Sequence, residues 1–452
     1  MKTFLTNEKI GALKALLSPH VYSEEVNKEI HRYPKQTVIG LGQGGGRIAA
    51  ELSRFGFPTY IVNSSKSDMD EHSNLIPEDR RIVTSSKEFP ELEGTDKNAL
   101  VGFEIAKENK EIYKKIALSD DVVNAEFVWV SVSLGGGTGN GALKVALAYL
   151  SKVRENRSLP GGKIPLGVIC SLPSKDERGS AFRKNALAGI ALIQQMINEK
   201  KIGSVIVIDN EKMNDYYTQK PLVTRGGLEI DAKTYSNMVV ASILAEVSTL
   251  PLINGRSVYD KTEFLGTIST PGWLSISKYT ELRSDSNVEE TIKKLFSDNE
   301  VLATYKGESA ITGAVAALYP ASRNISPQIA DDVYKFTSEY LDTKVNHAIA
   351  RISSIENLTL YGLAVYPTPP SRITELKTEL QDWEIKEKEQ EEAKQKASSE
   401  LGLDEFSSFF NQSSNLLRKK TTFDDFEDPF ETETVPSDDN KIKAVNLDDI
   451  DF

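Results

Sequence analysis

Two glycine-rich runs, each set between an apolar β-type segment and a helical pattern, constrain this chain more than anything else in it. The first is Gly40-Leu41-Gly42-Gln43-Gly44-Gly45-Gly46-Arg47, which closes QTVIGLG; the second, after FVWVSVS, is Gly135-Gly136-Gly137-Thr138-Gly139-Asn140-Gly141. Glycine lets backbone amides come close to phosphate oxygens, and a helix N-terminus adds favourable dipole potential. Five glycines in seven residues before a helix carry an entropy cost that a bound ligand offsets and an idle loop does not. Two such turns in one sheet, about 95 residues apart, predict a nucleotide whose polyphosphate lies across adjacent strand ends. G-x-x-x-x-G-K-S/T is absent, so this is not a P-loop enzyme. The first run formally contains G-x-G-x-x-G, but FPTYIVN ends in Asn63, Ser64 and Ser65 where a dinucleotide site needs an acid for the ribose. That weakens a nicotinamide-dependent oxidoreductase.

Around these runs, β-rich segments alternate with helical patterns from residue 36 to 225: QTVIGLG, FPTYIVN, RRIVT, FVWVSVS, IPLGVIC and GSVIVID are separated by amphipathic stretches. Such alternation means a parallel sheet covered on both faces. Residues 226–262 hold a buried connecting helix, YSNMVVASILAEVST, ending at Pro251, followed by a short acidic loop. Residues 263–370 read as a second α/β domain: GWLSISKYTEL, AITGAVAALYP and NLTLYGLAVYP as strands, VEETIKKLFSD and DDVYKFTSEYLDTKVNHAIARI as helical patterns. Residues 1–35 form a helical extension, with Ile10, Leu13, Leu16 and Leu17 at helical spacing. From 371 to 400, Leu376, Leu380 and Trp383 share a face before the helix turns almost wholly Glu/Lys/Gln.

Charge is concentrated at one end. Residues 401–452 carry 13 Asp/Glu against 5 Lys/Arg, so most of the formal net charge of −12 sits there. This acidic segment is too polar to bury itself and reads as a disordered tail ending in AVNLDDIDF, a docking peptide for a basic groove. Direct DNA binding by the folded part is not expected, because phosphate neutralisation needs a concentrated basic surface. The single cysteine, Cys170, excludes an internal disulfide. Glu8 and Lys9 interrupt the opening segment and no apolar stretch approaches about 18 residues, so a cytoplasmic protein without a membrane span is expected.

GGGTGNG resembles the glycine loop of the tubulin and FtsZ superfamily, and GLGQGGGRIA resembles its first phosphate loop. The likeness extends along most of residues 36–370. It implies a tubulin/FtsZ-like α/β fold, in which a parallel-sheet GTP-binding domain is joined by a central helix to a smaller α/β domain. It also implies GTP/GDP and Mg2+ as ligands. Gly42, Gln43, Gly44, Gly45 and Arg47 would form the first phosphate loop, with Gln43 near the magnesium. Gly135, Gly136, Gly137, Thr138, Gly139 and Asn140 would form the second, and Asn63 joins the set from the end of the second strand.

GTDKNALVG, at 94–102, is similar to the superfamily's γ-phosphate sensor but keeps only part of its usual wording; Lys97 either neutralises phosphate there or stands in solvent. Glu177 sits four residues after Pro173, where relatives place an acidic ribose contact, and is otherwise a surface glutamate. VIDNEKM resembles the tubulin run that brings an asparagine to the guanine ring, which nominates Asn210 with Asn237 as its companion. A carboxamide offers donor and acceptor, although either residue is equally suited to capping a helix. VYDKTEF resembles the synergy loop, whose two carboxylates act on the neighbouring subunit's nucleotide. Asp260 and Glu263 are then the catalytic pair that orients or deprotonates water once subunits polymerise. Acids three apart are also ordinary helix starts.

Within the superfamily, the N-terminal extension, SLPSKDE, STPGWLSI and the charged C-terminal helix look most like the plasmid- and phage-encoded TubZ group. That resemblance implies a homopolymer that moves or positions DNA through a DNA-bound adaptor, held by the acidic tail. An FtsZ-type division-ring GTPase is the alternative, and a non-hydrolysing structural homologue a more distant one.

Overall fold

Runs such as TVIGL, FVWVSVS and LGVICSL are nearly continuous in apolar residues, and each becomes a strand buried on both faces. The structure, a computed structural model, describes residues 17–400 and Ile450, apart from residues 89, 92, 220–221, 224–226, 228, 281–286, 298–304, 306–308 and 324–326. Ile10, Leu13 and Leu16 of the expected N-terminal helix lie outside the described residues, as does the acidic tail except Ile450.

The strands are β1 (Gln36–Leu41), β2 (Thr59–Asn63), β3 (Arg81–Val83), β4 (Phe127–Ser133), β5 (Leu166–Leu172), β6 (Ser204–Asp209), the small pair β7 (Leu222–Val223) and β8 (Glu229–Ile230), β9 (Gly272–Thr280), β10 (Thr312–Pro320), β11 (Val345–Ile352) and β12 (Thr359–Tyr366). The helices that matter below are α1 (Gly42–Ser53), α2 (Lys66–Asp70), α3 (Ala99–Glu108), α4 (Thr138–Glu155), α5 (Ser180–Asn198), α6 (Asn210–Gln219), α7 (Ala232–Thr249), α8 (Lys261–Ile268), α9 (Val288–Ser297), α10 (Pro327–Leu341) and α11 (Arg372–Glu400).

Among the described residues, ten strands form one sheet in the order β11-β10-β12-β9-β6-β5-β4-β1-β2-β3. β1 to β6 are mutually parallel, whereas β12 runs antiparallel to both β10 and β9. β9 continues the same sheet by pairing in parallel with β6 at Ser204↔Gly272 and Val205↔Trp273. The two expected α/β units therefore share one sheet. α1 and α7 pack on one face, α4 and α5 on the other. α7 buries nearly every residue from Met238 to Thr249, as a helix enclosed on all sides does. Ile373 and Leu376 root α11 in the core beneath α5, and its residues from Glu384 to Lys396 are exposed.

The described part of the N-terminal extension holds three short helical segments, Pro19–Tyr22, Glu24–Lys28 and Ile30–Arg32. One expectation changes. VNHAIARI, read as part of a helix, is strand β11, paired in parallel with β10 from Gly313↔Val345 to Pro320↔Ile352. Val345, Ala348, Ile349 and Ile352 do have helical spacing, but α10 ends at Leu341 and Asp342 takes a left-handed φ of 50°, which stops the helix. Tertiary pairing then decides the state.

Candidate functional site

The carboxyl ends of five parallel strands come level. Leu41 pairs with both Val62 and Val132, Ser133 with Ser171, and Leu172 with Asp209. The chain adds β2 and β3 on one side of β1, then returns to add β4, β5 and β6 on the other. In open α/β sheets the crevice outside the strand ends at such a switch point is where ligands bind. Both glycine runs leave from the two strands that flank it.

A cavity of about 460 Å³ opens there. Its walls include the predicted residues Gly42, Gln43, Gly44, Arg47, Asn63, Lys97, Gly136, Gly137, Thr138, Gly139, Glu177, Asn210 and Asn237. Gly45, Gly135 and Asn140 are not in the wall. Gly45 packs α1 on the β4 backbone at Ser131, Gly135 lies against Phe182 and Pro173, and Asn140 donates from Nδ2 to Asn185 O at 2.7 Å.

The two glycine loops interlock. Gly42 has a φ of 65°, and a Cβ there would sit 2.7 Å from the amide nitrogen of Gly139; a Cβ on Gly139 would sit 2.5 Å from Leu41 O. Only glycine permits both the turn and the approach. α4 starts at Thr138 with no side-chain cap, so its first amides remain for a ligand at the positive end of the helix dipole.

Side chains around the loops hold one another. Asp68 of α2 accepts from Gln43 Nε2 at 2.7 Å and from Asn63 Nδ2 at 3.0 Å, while Asn63 Oδ1 accepts the Ser64 amide at 2.8 Å. The Thr138 hydroxyl lies 2.8 Å from Ser64 Oγ and 3.3 Å from Thr95 Oγ1. Asn185 Nδ2 donates to Lys97 O at 2.7 Å and Gly135 O at 3.1 Å, bolting the 94–98 loop to the second glycine run. Asp96 and Lys97 take left-handed φ values of 45° and 63°, and the Lys97 ammonium sits 4.9 Å from the Phe182 ring centre. Arg47 is committed to Glu71, with Nη2 to Oε2 at 3.1 Å.

At the other end of the cavity, the Glu177 carboxylate accepts the Ser174 amide at 2.9 Å and the Lys233 ammonium at 3.2 Å. Asn210 and Asn237 are not the helix caps. Asp209 accepts the amides of Glu211 and Lys212, and Asp231 caps α7 through the Thr234 amide. Burial raises the Asp209 carboxyl above the usual range, opposed by the neighbouring Arg372 guanidinium. Gly94, Thr95 and Asp96 of the expected γ-phosphate loop also line the wall, whereas sequence reasoning missed Asp68, Ser133, Ser171, Phe182 and Lys233. Asp68 had a signal, since it lies in the first turn of the helix that follows β2; Ser133 and Ser171 stand at the ends of β4 and β5, and Phe182 and Lys233 in the first turns of α5 and α7, where residue type alone gives no sign of the cavity.

Asp260 and Glu263 do not line this cavity. They form a capping box at the start of α8: Asp260 Oδ1 accepts the Glu263 amide at 2.8 Å and Glu263 Oε2 accepts the Asp260 amide at 3.0 Å. The box sits on the surface beside Val258, which is 45% exposed, and Lys261, paired with Glu126 at 2.7 Å.

Comparison with known proteins follows the same lines. Residues 35–218 match the family described as Tubulin/FtsZ family, GTPase domain. The chain is 27% identical over 263 residues to the tubulin-like protein TubZ of Bacillus cereus, covering 55% of each chain, so it spans about half the length of that relative. It is 26% identical over 314 residues to the tubulin-like protein CetZ of Thermococcus kodakarensis, covering 68% of this chain and 74% of that one. In fold it is similar to a GTPγS-form protofilament of Bacillus thuringiensis serovar israelensis TubZ, with a TM-score of 0.67 at 21% identity over 82% of this chain and 98% of that one.

Proposed function

We propose that this chain, whose residues 35–218 carry a GTPase domain of the Tubulin/FtsZ family, binds GTP in the strand-end cavity and hydrolyses it where a second copy brings Asp260 and Glu263 to it. One observation carries this reading: the phosphate cradle and the acid pair are both well built, yet the pair does not line its own chain's cavity. Phosphoryl transfer depends on positioning and charge stabilisation, so a lone subunit with a cradle and no water-orienting acid is a slow catalyst. Stacking two copies completes the constellation. The TubZ structure described as a GTPγS-form protofilament supports assembly as the relevant state.

In this reading the amides of the two glycine runs hold the polyphosphate, Lys97 faces its terminal end, Glu177 takes the ribose, and Asn210 with Asn237 reads guanine. Among the described residues no three His, Cys, Asp or Glu gather to hold a metal. The donors fit magnesium nonetheless, because that ion keeps waters and phosphate oxygens as ligands and needs few from protein. Asp68 and Gln43 would hold it, and when bound it would neutralise phosphate charge. Asp260 and Glu263 of the partner copy hold the attacking water, Asp260 accepting its proton.

The acidic tail, with FEDPFE and NLDDIDF, serves as the docking segment for a basic groove on a DNA-bound adaptor, so that filaments position plasmid or phage DNA. Among the described residues no helix is long and apolar enough to cross a membrane. The test is phosphate release from GTP across protein concentration, with electron microscopy under GTP and under GDP. Filaments with the triphosphate and a rate per subunit that rises with concentration are expected; dilute monomer matching concentrated protein would sink the shared site. Removing residues 402–452 should spare filaments and abolish adaptor capture, and full capture by the shortened chain would refute the tail's role.

A further inference from the structure

The base of α11 reaches the cavity through two buried arginines. Arg183 of α5 has a fully buried side chain, and Arg372 at the start of α11 is 2% exposed. Glu379 of α11 pairs with both: its Oε2 lies 3.2 Å from Arg183 Nη2, and its Oε1 accepts from Arg372 Nη1. Both arginines also donate to carbonyls of the loop that precedes α5, while Arg372 Nη1 donates to Glu375 Oε2 at 3.1 Å as well. Arg183 donates to Ser174 O at 2.9 Å and to the carbonyl of Glu177, and Arg372 donates to Pro173 O at 3.0 Å. Arg372 Nε also lies 3.5 Å from Asp209 Oδ1, one residue before Asn210. About two turns further along α11, Glu387 Oε1 accepts the Ser180 amide at 2.7 Å, which fixes the loop's other end.

We propose that Glu379 is a positioning residue for the nucleotide: through Arg183 and Arg372 it holds the loop of Glu177 and the start of α6, and so sets the sugar and base half of the site. It touches no nucleotide itself. The phosphate half is built by different elements, α1, α4 and the 94–98 loop, none of which these arginines contact. Charge makes the arrangement specific. Glu379 is the carboxylate the two guanidiniums share: its loss takes Arg183's ion-pair partner and one of the partners of Arg372, which keeps Glu375 at 3.1 Å and Asp209 at 3.5 Å, and so loosens the grip on the loop carbonyls chiefly through Arg183. The inference rests on the cavity being the guanine-nucleotide site.

The experiment measures GTP and GDP affinity, GDP release rate, and kcat and KM for the full chain and for Glu379→Gln. Glu379→Gln is expected to weaken GTP and GDP by the same factor, at least tenfold, and to speed GDP release likewise. kcat at saturating GTP should stay within about twofold, because the cradle and the acid pair are unchanged. A purely structural role would lower kcat and the thermal midpoint without this split. Nucleotide affinities within twofold of the parent overturn the proposal. If the parent itself binds neither GTP nor GDP, the reading of the cavity fails instead, which keeps the two failures apart. If Glu379→Gln does not fold, the exposed contact Glu387→Ala takes its place: GDP release two- to fivefold faster supports the role, and release at the parental rate refutes it.

Discussion

Asp260 is asked to do two things, and the structure allows them to be separated. Its Oδ1 caps α8 through the Glu263 amide, so Asp260→Ala removes a helix cap as well as a carboxylate. Loss of such a cap costs about 1 kcal/mol, within a range of roughly 0.5–2. Asparagine caps as well as aspartate, so Asp260→Asn keeps the hydrogen bond and gives up only the charge near the helix dipole, about 0.3–1 kcal/mol. Removing a general base costs roughly 10²- to 10⁴-fold in rate, which is about 3–5 kcal/mol of barrier. Folded domains hold about 5–15 kcal/mol in reserve, so neither substitution unfolds the chain enough to explain a loss of that size. Phosphate release should therefore fall by roughly 10²-fold or more in both variants, while GTP binding stays near parental and filaments persist without turning over. Denaturant midpoints should rank parent, then Asp260→Asn, then Asp260→Ala. Assembled Asp260→Asn filaments that hydrolyse GTP at the parental rate would show that the acid is a cap and nothing more.

Gly139→Ala drives a methyl to 2.5 Å from Leu41 O, and overpacking of about 1–3 kcal/mol should reduce nucleotide retained through purification without changing the far-UV circular dichroism. His20 is fully buried among Glu246, Lys278, Tyr361 and Thr249, and burial lowers its imidazole pKa from 6.5 to about 4. The unfolded chain thus binds the extra proton first as pH falls, so stability is full above about pH 7 and drops between pH 6.5 and 4, by up to about 3 kcal/mol. Urea midpoints at pH 7 and 5 should show that drop in the parent and a flatter profile in His20→Gln. Cys170 is buried and its thiol is pushed up to about 12, so a thiol reagent at pH 8 should label it only on unfolding.

The part of the fold that matches the Tubulin/FtsZ GTPase-domain family was legible because its signals are local and redundant. Each parallel strand is a short apolar run, and glycines mark the turns after β1 and β4. What escaped depended on partners distant in the chain. VNHAIARI has helical spacing and becomes a strand only because β10 offers an edge. That β6 pairs with β9 across more than 60 residues, making one sheet of two expected units, is likewise invisible from either segment alone. The same holds in the site. Gly42 and Gly139 announce themselves as glycines in a phosphate turn, whereas Asn185 looks like any polar residue in KNALAGI and yet ties the 94–98 loop to the second glycine run.

The acid pair shows why residue type and spacing leave function open. D-x-x-E before an apolar helix is a capping box by sequence, and a capping box is what the chain builds. The box uses Asp260 Oδ1 and Glu263 Oε2, so each carboxylate keeps a second oxygen, Oδ2 and Oε1, beyond the cap contacts. Backbone amides that bind one oxygen of a carboxylate also fix the direction of the other, and they do so before any partner arrives. Capping and catalysis are thus compatible uses of the same two residues: the cap supplies in advance the orientation that a water-activating acid otherwise has to gain on assembly. Glu263→Gln tests this separately from Asp260, since glutamine also closes a capping box: filaments should form as in the parent, and only the hydrolysis that depends on assembly should slow.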